Sequence, residues 1–385
     1  MKKKTIVIDA IPLISKVTGI GKYTYEVSKR ILQSNNDLDV TFYYGYFSKD
    51  LYAPHAPASG KLVKNLMSVF GRNVLFKNLA RATKLYLLKL LSKEYDLYWE
   101  PAIVPLRQMK TRNLVTTVHD FSFHLHPEWL DKEQRAYITG HFWKNIPRSV
   151  RIITGSRYTK NEIIEFLRYD PEAIDVIYHG VDHSIFKPYE EETLQAFAAA
   201  RAARALPEKF MLFVGSIEPR KNLKNALLAY VQLPAEFKKE FKFVLAGFSG
   251  WNNDEVMALI EKEKENVTYL GYLTDLELAY LYNMATVLIY PSLYEGFGLP
   301  PLEAMACGTP VVVSRVASLP EVCGDVAFYI DPHSITSIAE GMYTVATDNA
   351  GRKSMSQKGL ARAKEFTWDE SARRHLSVFR NVLNR

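Results

Sequence analysis

Two glutamates, Glu295 and Glu303, stand eight positions apart around a Gly-Phe-Gly turn and two prolines in the stretch "YPSLYEGFGLPPLEAMACG". Two carboxylates in a glycan-processing enzyme can act as an acid and a base. The surrounding sequence indicates a different placement. The run "ATVLIYPS" is typical of a buried strand, and prolines at a helix start cost little because their missing N–H would have no partner there. We therefore predict Glu295 in a loop at the carboxyl end of a strand and Glu303 in the first turn of the next helix.

The predicted position of Glu303 decides which chemistry it can perform. In a first helical turn the helix dipole keeps a carboxylate ionised, and an ionised carboxylate accepts hydrogen bonds from paired hydroxyls, as on a ribose, but is a poor general acid. The backbone N–H groups of Gly296, Phe297, Gly298 and Leu299 can bind a diphosphate or a sugar. The alternative is a helix capped by its own glutamate, with glycines that only permit tight turning. We favour a grip on a nucleotide sugar.

A basic pair, Arg220 and Lys221, follows the strand-like run "FMLFV". The next helix is predicted to start near Asn222, so cationic side chains and free backbone N–H groups would together hold a phosphate. The alternative is two solvated basic residues.

Two glycines, Gly19 and Gly21 in "TGIGKYTYEV", are predicted in a loop before a helix. There the backbone could approach an anion or a sugar closely, although glycine also serves simply as a turn former. The chain has neither a G-x-G-x-x-G fingerprint nor a G-x-x-x-x-G-K-[ST] phosphate loop, so neither standard nucleotide motif is present.

A histidine, His119, ends the strand-like run "NLVTTV" and is followed by Asp120, with His124 and His126 close by. It is either a packing residue or part of a site. No thiol or carboxylate set completes a zinc site around these histidines, and we predict no metal. A Ser-His-Asp hydrolase is disfavoured because G-x-S-x-G is absent.

Short apolar strands alternate with amphipathic helices along the chain, which predicts parallel sheets with crossover helices. One of these helices is predicted to begin after the N-cap Ser156 and to run through Phe166. The length of 385 residues exceeds the roughly 250 to 300 residues of one core, so we predict two doubly wound domains. They cover residues 1–187 and 188–367, and the second begins with an Ala-rich polar segment. Ligands of such sheets bind beyond the carboxyl ends of the strands, here in a cleft between two domains.

The composition is that of a soluble globular protein, with 48% hydrophobic and 24% charged residues. Two cysteines, Cys307 and Cys323, are too few for a disulfide framework and fit a reducing compartment. The start "MKKKTIVIDAIPLI" is too short and too broken for a signal peptide, and no other apolar run of about 18 residues occurs. We expect a cytoplasmic protein.

The net charge of +7 is uneven, because no acidic residue occurs between Asp50 and Glu94. Residues 73–93 are predicted to form a basic amphipathic helix. It is either a core helix with a solvated basic face or a surface that docks on an anionic membrane. In the second case the protein would be peripherally bound to the inner face of the cytoplasmic membrane. Nucleic acid is disfavoured because no recognition motif or aromatic stacking platform is present.

Four segments together carry a resemblance to a known family: "FVGSIEPRKN", "TVHD", "HGVD" and the stretch from Tyr290 to Asp331. They resemble the family 4 glycosyltransferases, which have the GT-B fold of two Rossmann-like domains facing a central cleft. The resemblance implies a retaining, metal-independent enzyme without a cofactor, which moves a sugar from a nucleotide diphosphate to an acceptor hydroxyl. It also implies an acceptor-binding first domain, a donor-binding second domain, and a last helix, residues 368–385, that packs back on the first domain.

The resemblance also implies roles for individual residues. Glu303 would bind the ribose hydroxyls and Glu295 the donor sugar, while Arg220 and Lys221 would hold the diphosphate with help from the backbone of residues 297–299. His119 would lie against the sugar. The remaining donor-site residues implied are Gly19 and Gly21 near the phosphate, the strand-end turns at Ser216 and Gly247, and Tyr272 and Leu273 at the base.

Two departures from the family pattern stand out. Ser216 occupies a place where many members carry an arginine, so Arg220 would supply that charge, and His179 replaces the usual asparagine of "NGVD". These segments are most similar to those of bacterial mannosyltransferases of O-antigen or capsule synthesis. That similarity favours GDP-mannose as donor and a glycan or lipid-linked glycan as acceptor. A UDP-sugar donor, another two-Rossmann sugar-nucleotide enzyme, and a non-catalytic sugar-nucleotide-binding subunit are the alternatives.

Overall fold

The computed structural model describes residues 3–14, 19–34, 37–53, 88–90, 92–130, 132–200, 206–248 and 253–385. Within these ranges the strands form two separate sheets, one of seven strands and one of six. Each sheet is mainly parallel and covered by helices, so the prediction of two doubly wound, Rossmann-like units is confirmed.

The first sheet has the strand order β3-β2-β1-β4-β5-β6-β7. Its strands are Lys4–Asp9 (β1), Leu38–Tyr43 (β2), Phe47–Ser48 (β3), Tyr95–Glu100 (β4), Thr111–Thr117 (β5), Arg151–Thr154 (β6) and Ile174–Val176 (β7). All neighbouring pairs are parallel except β2 and β3. The sequence analysis did not predict β3, because two residues at a sheet edge leave no periodic pattern.

The second sheet has the order β10-β9-β8-β11-β12-β13, and every pair in it is parallel. Its strands are Phe210–Val214 (β8), Lys242–Ala246 (β9), Val267–Tyr269 (β10), Val287–Tyr290 (β11), Val311–Ser314 (β12) and Phe328–Ile330 (β13). The runs "FMLFV", "VLIY" and "VVVS" are buried throughout, as expected of strands with helices on both faces.

Helices connect successive strands and cover both sheets. In the first unit they are Gly19–Ser34 (α1), Ser122–Leu125 (α2), Lys132–Asn145 (α3) and Arg157–Leu167 (α4). In the second they are Glu191–Ala200 (α5), Leu223–Gln232 (α6), Ala235–Glu240 (α7), Asp254–Lys262 (α8), Asp275–Met284 (α9), Leu299–Ala306 (α10), Leu319–Cys323 (α11), Ile335–Thr347 (α12) and Asn349–Ala363 (α13). As predicted, Ser156 caps α4, because its hydroxyl accepts a hydrogen bond from the Thr159 N–H.

The last helix, Trp368–Leu383 (α14), returns to the first unit. Its apolar face shares a core with α1 and the first sheet, where Leu376 and Phe379 lie buried together with Ile31 and Trp99. The chain therefore crosses twice between the two units, once through residues 177–190 and once before Trp368. Two covalent connections constrain their relative motion more than one would.

Two placements from the sequence are wrong. Gly19 and Gly21 lie inside helix Gly19–Ser34 and not in a loop before it. Glu303 is the fifth residue of helix Leu299–Ala306, beyond the first turn. The helix starts earlier than predicted because Gly298, at φ 112°, makes the sharp entry and both prolines then fit inside the first turn.

The predicted basic helix, residues 73–93, lies outside the described residues apart from 88–90, 92 and 93. Among these described residues, Leu88 is buried, whereas Leu90 is 58% exposed. Across the described ranges, no helix combines the length and the apolar character that crossing a bilayer requires.

Candidate functional site

The predicted site residues converge because β8 and β11 are hydrogen-bonded neighbours in the second sheet. Arg220 and Lys221 follow β8, and Glu295 follows β11, so all three lie at the same carboxyl edge. The strand order reverses direction between β8 and β11. The carboxyl ends of the strands at such a point are the usual ligand position in doubly wound sheets. Strand order therefore brings together groups that are more than 70 residues apart in sequence.

Glu295 is held by two cations and a phenol. Its Oε1 accepts from Lys221 Nζ at 2.6 Å and from the Tyr290 hydroxyl at 2.8 Å, and its Oε2 accepts from Arg220 at 2.7 Å. Burial by itself raises the pKa of this carboxyl, but the charges of Arg220 and Lys221 outweigh it and lower the pKa of Glu295 to about 2. Glu295 is therefore ionised at every physiological pH.

Arg220 and Lys221 occupy a short 3-10 turn, Pro219–Lys221, ahead of α6. Asn222 follows in a left-handed conformation, at φ 57°, and its side-chain amide donates to the carbonyls of Pro291 and Pro332. These bonds tie the turn after β8 to the loops after β11 and β13. Burial and the neighbouring Arg220 lower the pKa of Lys221, and the Glu295 carboxylate opposes them.

Glu303 obtains its cation from the other domain. Lys22, in α1, places Nζ 2.7 Å from Glu303 Oε1 and 3.0 Å from Asp275 Oδ2. Burial raises the pKa of Glu303, and the Lys22 charge opposes that effect. Burial alone lowers the pKa of Lys22, but the carboxylates of Glu303 and Asp275 outweigh it, so the pKa of Lys22 is raised. An ion pair and not a helix dipole is thus what favours ionised Glu303, which corrects the reason inferred from sequence.

His119 lies where the two domains touch. Its Nε2 is 2.7 Å from the Pro101 carbonyl and therefore carries the proton, while burial lowers the pKa of the ring, so His119 is neutral. Its carbonyl faces Gly296, where an added Cβ would come within 2.0 Å of the His119 oxygen. Gly296 therefore allows the loop after β11 to pack directly on the chain that follows β5.

The other predicted glycines have steric roles that the structure makes visible. A Cβ on Gly247, at φ 145°, would lie 1.9 Å from the Gly215 carbonyl, so this turn packs against the one that leads into Ser216. Gly19 faces Leu299 across the cleft, at 3.7 Å from an added Cβ to Leu299 Cδ1. The amino ends of α1 and α10 thus face each other.

The two residues predicted to contact the base differ in accessibility. Tyr272 is 41% exposed and stacks on Phe248 with ring centroids 4.5 Å apart and planes 16° from parallel. Leu273 is buried in the core of the second domain, where Phe297 also lies. Of the two, only Tyr272 has an exposed side chain.

The histidines near His119 do not converge on one point. His124 packs edge-on against Trp143 and Phe166, whereas His126 stacks on Trp129 at 3.8 Å. In the described ranges no group of three or more His, Cys, Asp or Glu side chains is arranged to hold a metal ion.

Comparison with known proteins identifies the family. The family described as "Glycosyl transferases group 1" matches residues 196–362, and the one described as "Glycosyltransferase Family 4" matches residues 17–185. Over 97% of this chain and 99% of the relative, the sequence is 30% identical to the O-antigen chain mannosyltransferase B of Escherichia coli. The chain belongs to the family 4 glycosyltransferases.

Further relatives of this glycosyltransferase match less of its length or share only its fold. The serotype-specific mannosyltransferase WbdA of Escherichia coli is 33% identical over 60% of this chain and 28% of its own length. Sucrose-phosphate synthase from Thermosynechococcus elongatus superposes with a TM-score of 0.72 at 21% identity, covering 99% of this chain and 100% of that structure. The architecture is the GT-B fold.

Sequence reasoning missed three residues that the glycosyltransferase brings to this site. Lys22 pairs with Glu303, and the Tyr294 hydroxyl donates to Glu162 Oε2 at 2.6 Å while accepting from a backbone N–H of the first domain. Burial raises the pKa of Glu162 to about 7. Tyr294 precedes Glu295 directly and Lys22 follows Gly21 directly, so both lay beside motifs already noted, but no pattern connected them to a partner in the other domain.

Proposed function

We propose that this glycosyltransferase moves mannose from GDP-mannose to a glycan or lipid-linked glycan acceptor, with retention of anomeric configuration and without a metal ion. The cluster of Arg220, Lys221 and Glu295 at the carboxyl edge of the second sheet, opposite His119, carries the proposal. The donor assignment is supported by the near full-length relative that is an O-antigen chain mannosyltransferase.

In the proposed reaction the bond between the anomeric carbon and the diphosphate oxygen breaks, and the acceptor oxygen bonds to the same face of that carbon. The acceptor proton passes to an oxygen of the departing phosphate. Negative charge develops on the diphosphate, and Arg220 and Lys221 stabilise it. One such preorganised donor can contribute about 2.7 to 4 kcal/mol. The two cations take the electrostatic role that a metal has in other transferases.

Glu295 positions the donor sugar in this proposal and does not act as an acid. A carboxyl with a pKa of about 2 cannot donate a proton at neutral pH. Lys221 and Tyr290 occupy Oε1 and Arg220 uses one acceptor site of Oε2, so a sugar hydroxyl can donate to the remaining site on Oε2. Neutral His119 lies against the sugar, and Glu303 accepts from the ribose hydroxyls.

The other predicted donor contacts complete the proposal. Backbone N–H groups of residues 296–299 and of Ser216 are assigned to the diphosphate. The Gly247 N–H donates to the Gly271 carbonyl, so Gly247 contributes through the close packing of its turn on the one before Ser216. The amino end of α1, at Gly19 and Gly21, is assigned to the phosphate and the acceptor. Tyr272 stacks against the base. Leu273 would contact the base through its backbone atoms, because its side chain is buried.

A thermal-shift panel tests the donor assignment. GDP, UDP, GDP-mannose and a UDP-hexose are each added at a series of concentrations, and we expect the guanosine compounds to raise the melting temperature most. Ligand at 100 times its Kd contributes about 2.7 kcal/mol of stability. Stabilisation by uridine compounds alone would move the proposal to a UDP-sugar donor, and no stabilisation by either would refute the donor site.

Product analysis tests the chemistry. With the donor that stabilises the protein, transfer to an O-antigen-type acceptor is followed by NMR of the new anomeric centre. Retention is expected, and inversion would replace the proposal with an inverting transferase. If the donor binds but is neither transferred to any acceptor tested nor hydrolysed, the alternative of a non-catalytic sugar-nucleotide-binding subunit is favoured.

Membrane association of residues 73–93 is a separate proposal that rests on sequence. Exchange of Lys77, Arg81 and Lys84 for glutamine is expected to weaken binding to vesicles that contain anionic lipid, since each basic residue near such a surface contributes about 1 kcal/mol. Equal binding by the triple variant and the parent would contradict it.

A further inference from the structure

We infer that Lys22 is a positioning residue for Glu303, delivered by the first domain, and that it makes donor-nucleotide affinity depend on contact between the two domains. The inference rests on the proposed function, because it takes Glu303 as the group that binds the ribose. It goes beyond that proposal in assigning half of the ribose site to the other domain.

The contact is built on three sides of the Lys22 ammonium. Glu303 Oε1 lies at 2.7 Å and Asp275 Oδ2 at 3.0 Å, and the ring centroid of Phe186 lies 4.4 Å away. The side chain of Lys22 is 11% exposed and that of Glu303 is 7% exposed. Such a nearly dry, charge-assisted contact holds one geometry far better than an exposed pair does.

No other described group can replace this charge. The polar groups facing Glu303 are Lys22 from α1, Asp275 and Tyr282 from α9, and the thiol of Cys307 at the end of its own helix. Asp275 repels a carboxylate, and the Tyr282 hydroxyl is 3.4 Å from Oε2. In the described part of the chain, Lys22 is the only cation in contact with Glu303. Without it, burial would favour the protonated carboxyl, which accepts hydrogen bonds poorly.

Lys22 leaves room for the nucleotide on the same carboxylate. Two carboxylate oxygens offer about four acceptor sites, of which Lys22 uses one on Oε1 and the Tyr282 hydroxyl one on Oε2. The ribose hydroxyls can therefore donate to the remaining sites of a carboxylate that Lys22 has already oriented. The opposite interpretation, a latch that occludes Glu303 until nucleotide displaces it, predicts that removal of the Lys22 charge tightens binding.

The test compares Lys22→Met, which removes the charge and keeps the stem, with Lys22→Arg and with Lys29→Met. Lys29 lies on the exposed face of the same helix and serves as the matched control. GDP and UDP are titrated by calorimetry at pH 8 and at pH 6, and donor KM and kcat are measured with saturating acceptor. The melting temperature of every variant reports whether the fold is intact.

We expect Lys22→Met to weaken nucleotide binding about 10- to 100-fold, the range for one hydrogen bond to a charged group, with kcat within about threefold. The loss should be larger at pH 6 than at pH 8, because Glu303 then protonates more readily. Lys22→Arg should restore most of the affinity, and Lys29→Met should bind like the parent. A purely structural role would not produce this pH dependence.

A double-mutant cycle completes the test. In a Glu303→Gln background, Lys22→Met should weaken binding by less than about threefold, since its partner is already gone. Full additivity of the two changes, unchanged binding of Lys22→Met at both pH values, or tighter binding would each overturn the inference. Failure of the parent protein to bind either nucleotide would instead refute the proposed function.

Discussion

Glu295 and Glu303 are each 5% exposed, and the loop after β11 joins one to the helix that contains the other. The cations that pair with them nevertheless come from different domains. Glu295 pairs with Arg220 and Lys221, which belong to its own domain. Glu303 pairs with Lys22, which belongs to the other domain. In the proposed site, the half assigned to diphosphate and sugar therefore has its charges paired within the second domain, whereas the half assigned to ribose gains its cation only when the domains meet.

The difference extends to protonation. Two cations lower the pKa of Glu295 to about 2 despite burial, but one cation shared with Asp275 leaves the pKa of Glu303 raised. An equally buried pair of carboxylates thus divides into one that is insensitive to pH and one that is sensitive. The comparison predicts that turnover depends on the first cluster and donor affinity on the second.

The largest expected effect follows from Lys221→Met, which removes a cation from the self-contained cluster. We expect kcat to fall about 100- to 1000-fold, the cost of losing one preorganised donor to developing charge. Initial rates at saturating donor and acceptor measure it. Lys224→Met, on the exposed face of the following helix, is the matched control and should stay near the parent rate.

Glutamine exchanges separate the two carboxylates directly. Glu295→Gln should lower kcat at least tenfold more than it raises donor KM, because it disturbs the reacting sugar and both cations. Glu303→Gln should instead raise donor KM about tenfold, the loss of roughly one charge-assisted hydrogen bond. Steady-state kinetics with varied donor decides, and equal changes in kcat and KM for both variants would break the comparison.

The pH dependence of donor affinity sharpens it further. A raised pKa means that Glu303 gains a proton as the pH falls toward the acidic range, so donor KM should rise several-fold between pH 8 and pH 5. The Glu303→Gln variant should lack this rise. A rise of the same size in that variant would place the titrating group elsewhere.

The smallest effect concerns a further contact between the domains, in which the Tyr294 hydroxyl donates to Glu162. A folded-state pKa of about 7 lies above the unfolded value of roughly 4.3, so the folded protein holds this proton more tightly and stability falls as the pH rises from about 4 to 7. Glu162→Gln should remove that loss and melt about 2 °C higher than the parent at pH 8, with a much smaller gain at pH 5, where little of the loss has yet developed. Differential scanning calorimetry at both pH values measures it, and an equal shift at both would contradict the assignment.

Much of the fold could be predicted because it rests on local patterns. Uninterrupted apolar runs such as "FMLFV" and "VVVS" mark strands buried on both faces, and Ser156 marks a helix start, since both signals involve residues close in sequence. The convergence of Arg220, Lys221 and Glu295 also followed, because parallel strands end at a common edge. The helix containing Glu303 was placed too late, because an entry glycine at positive φ admits both prolines into its first turn.

Residue types and spacing alone determined the two-domain parallel architecture and the charges that meet at the carboxyl edge of the second sheet, Arg220, Lys221 and Glu295. Only the tertiary structure decided which side chains pair across the contact between the domains. Lys22 and Glu303 are 281 residues apart, and Glu162 and Tyr294 are 132 apart. Such pairs depend on how the domains built on the two sheets pack against each other, which no periodic pattern encodes. The same packing decided that Glu303 has a cation and that its pKa nevertheless stays raised, because both follow from burial and charge across the domain contact.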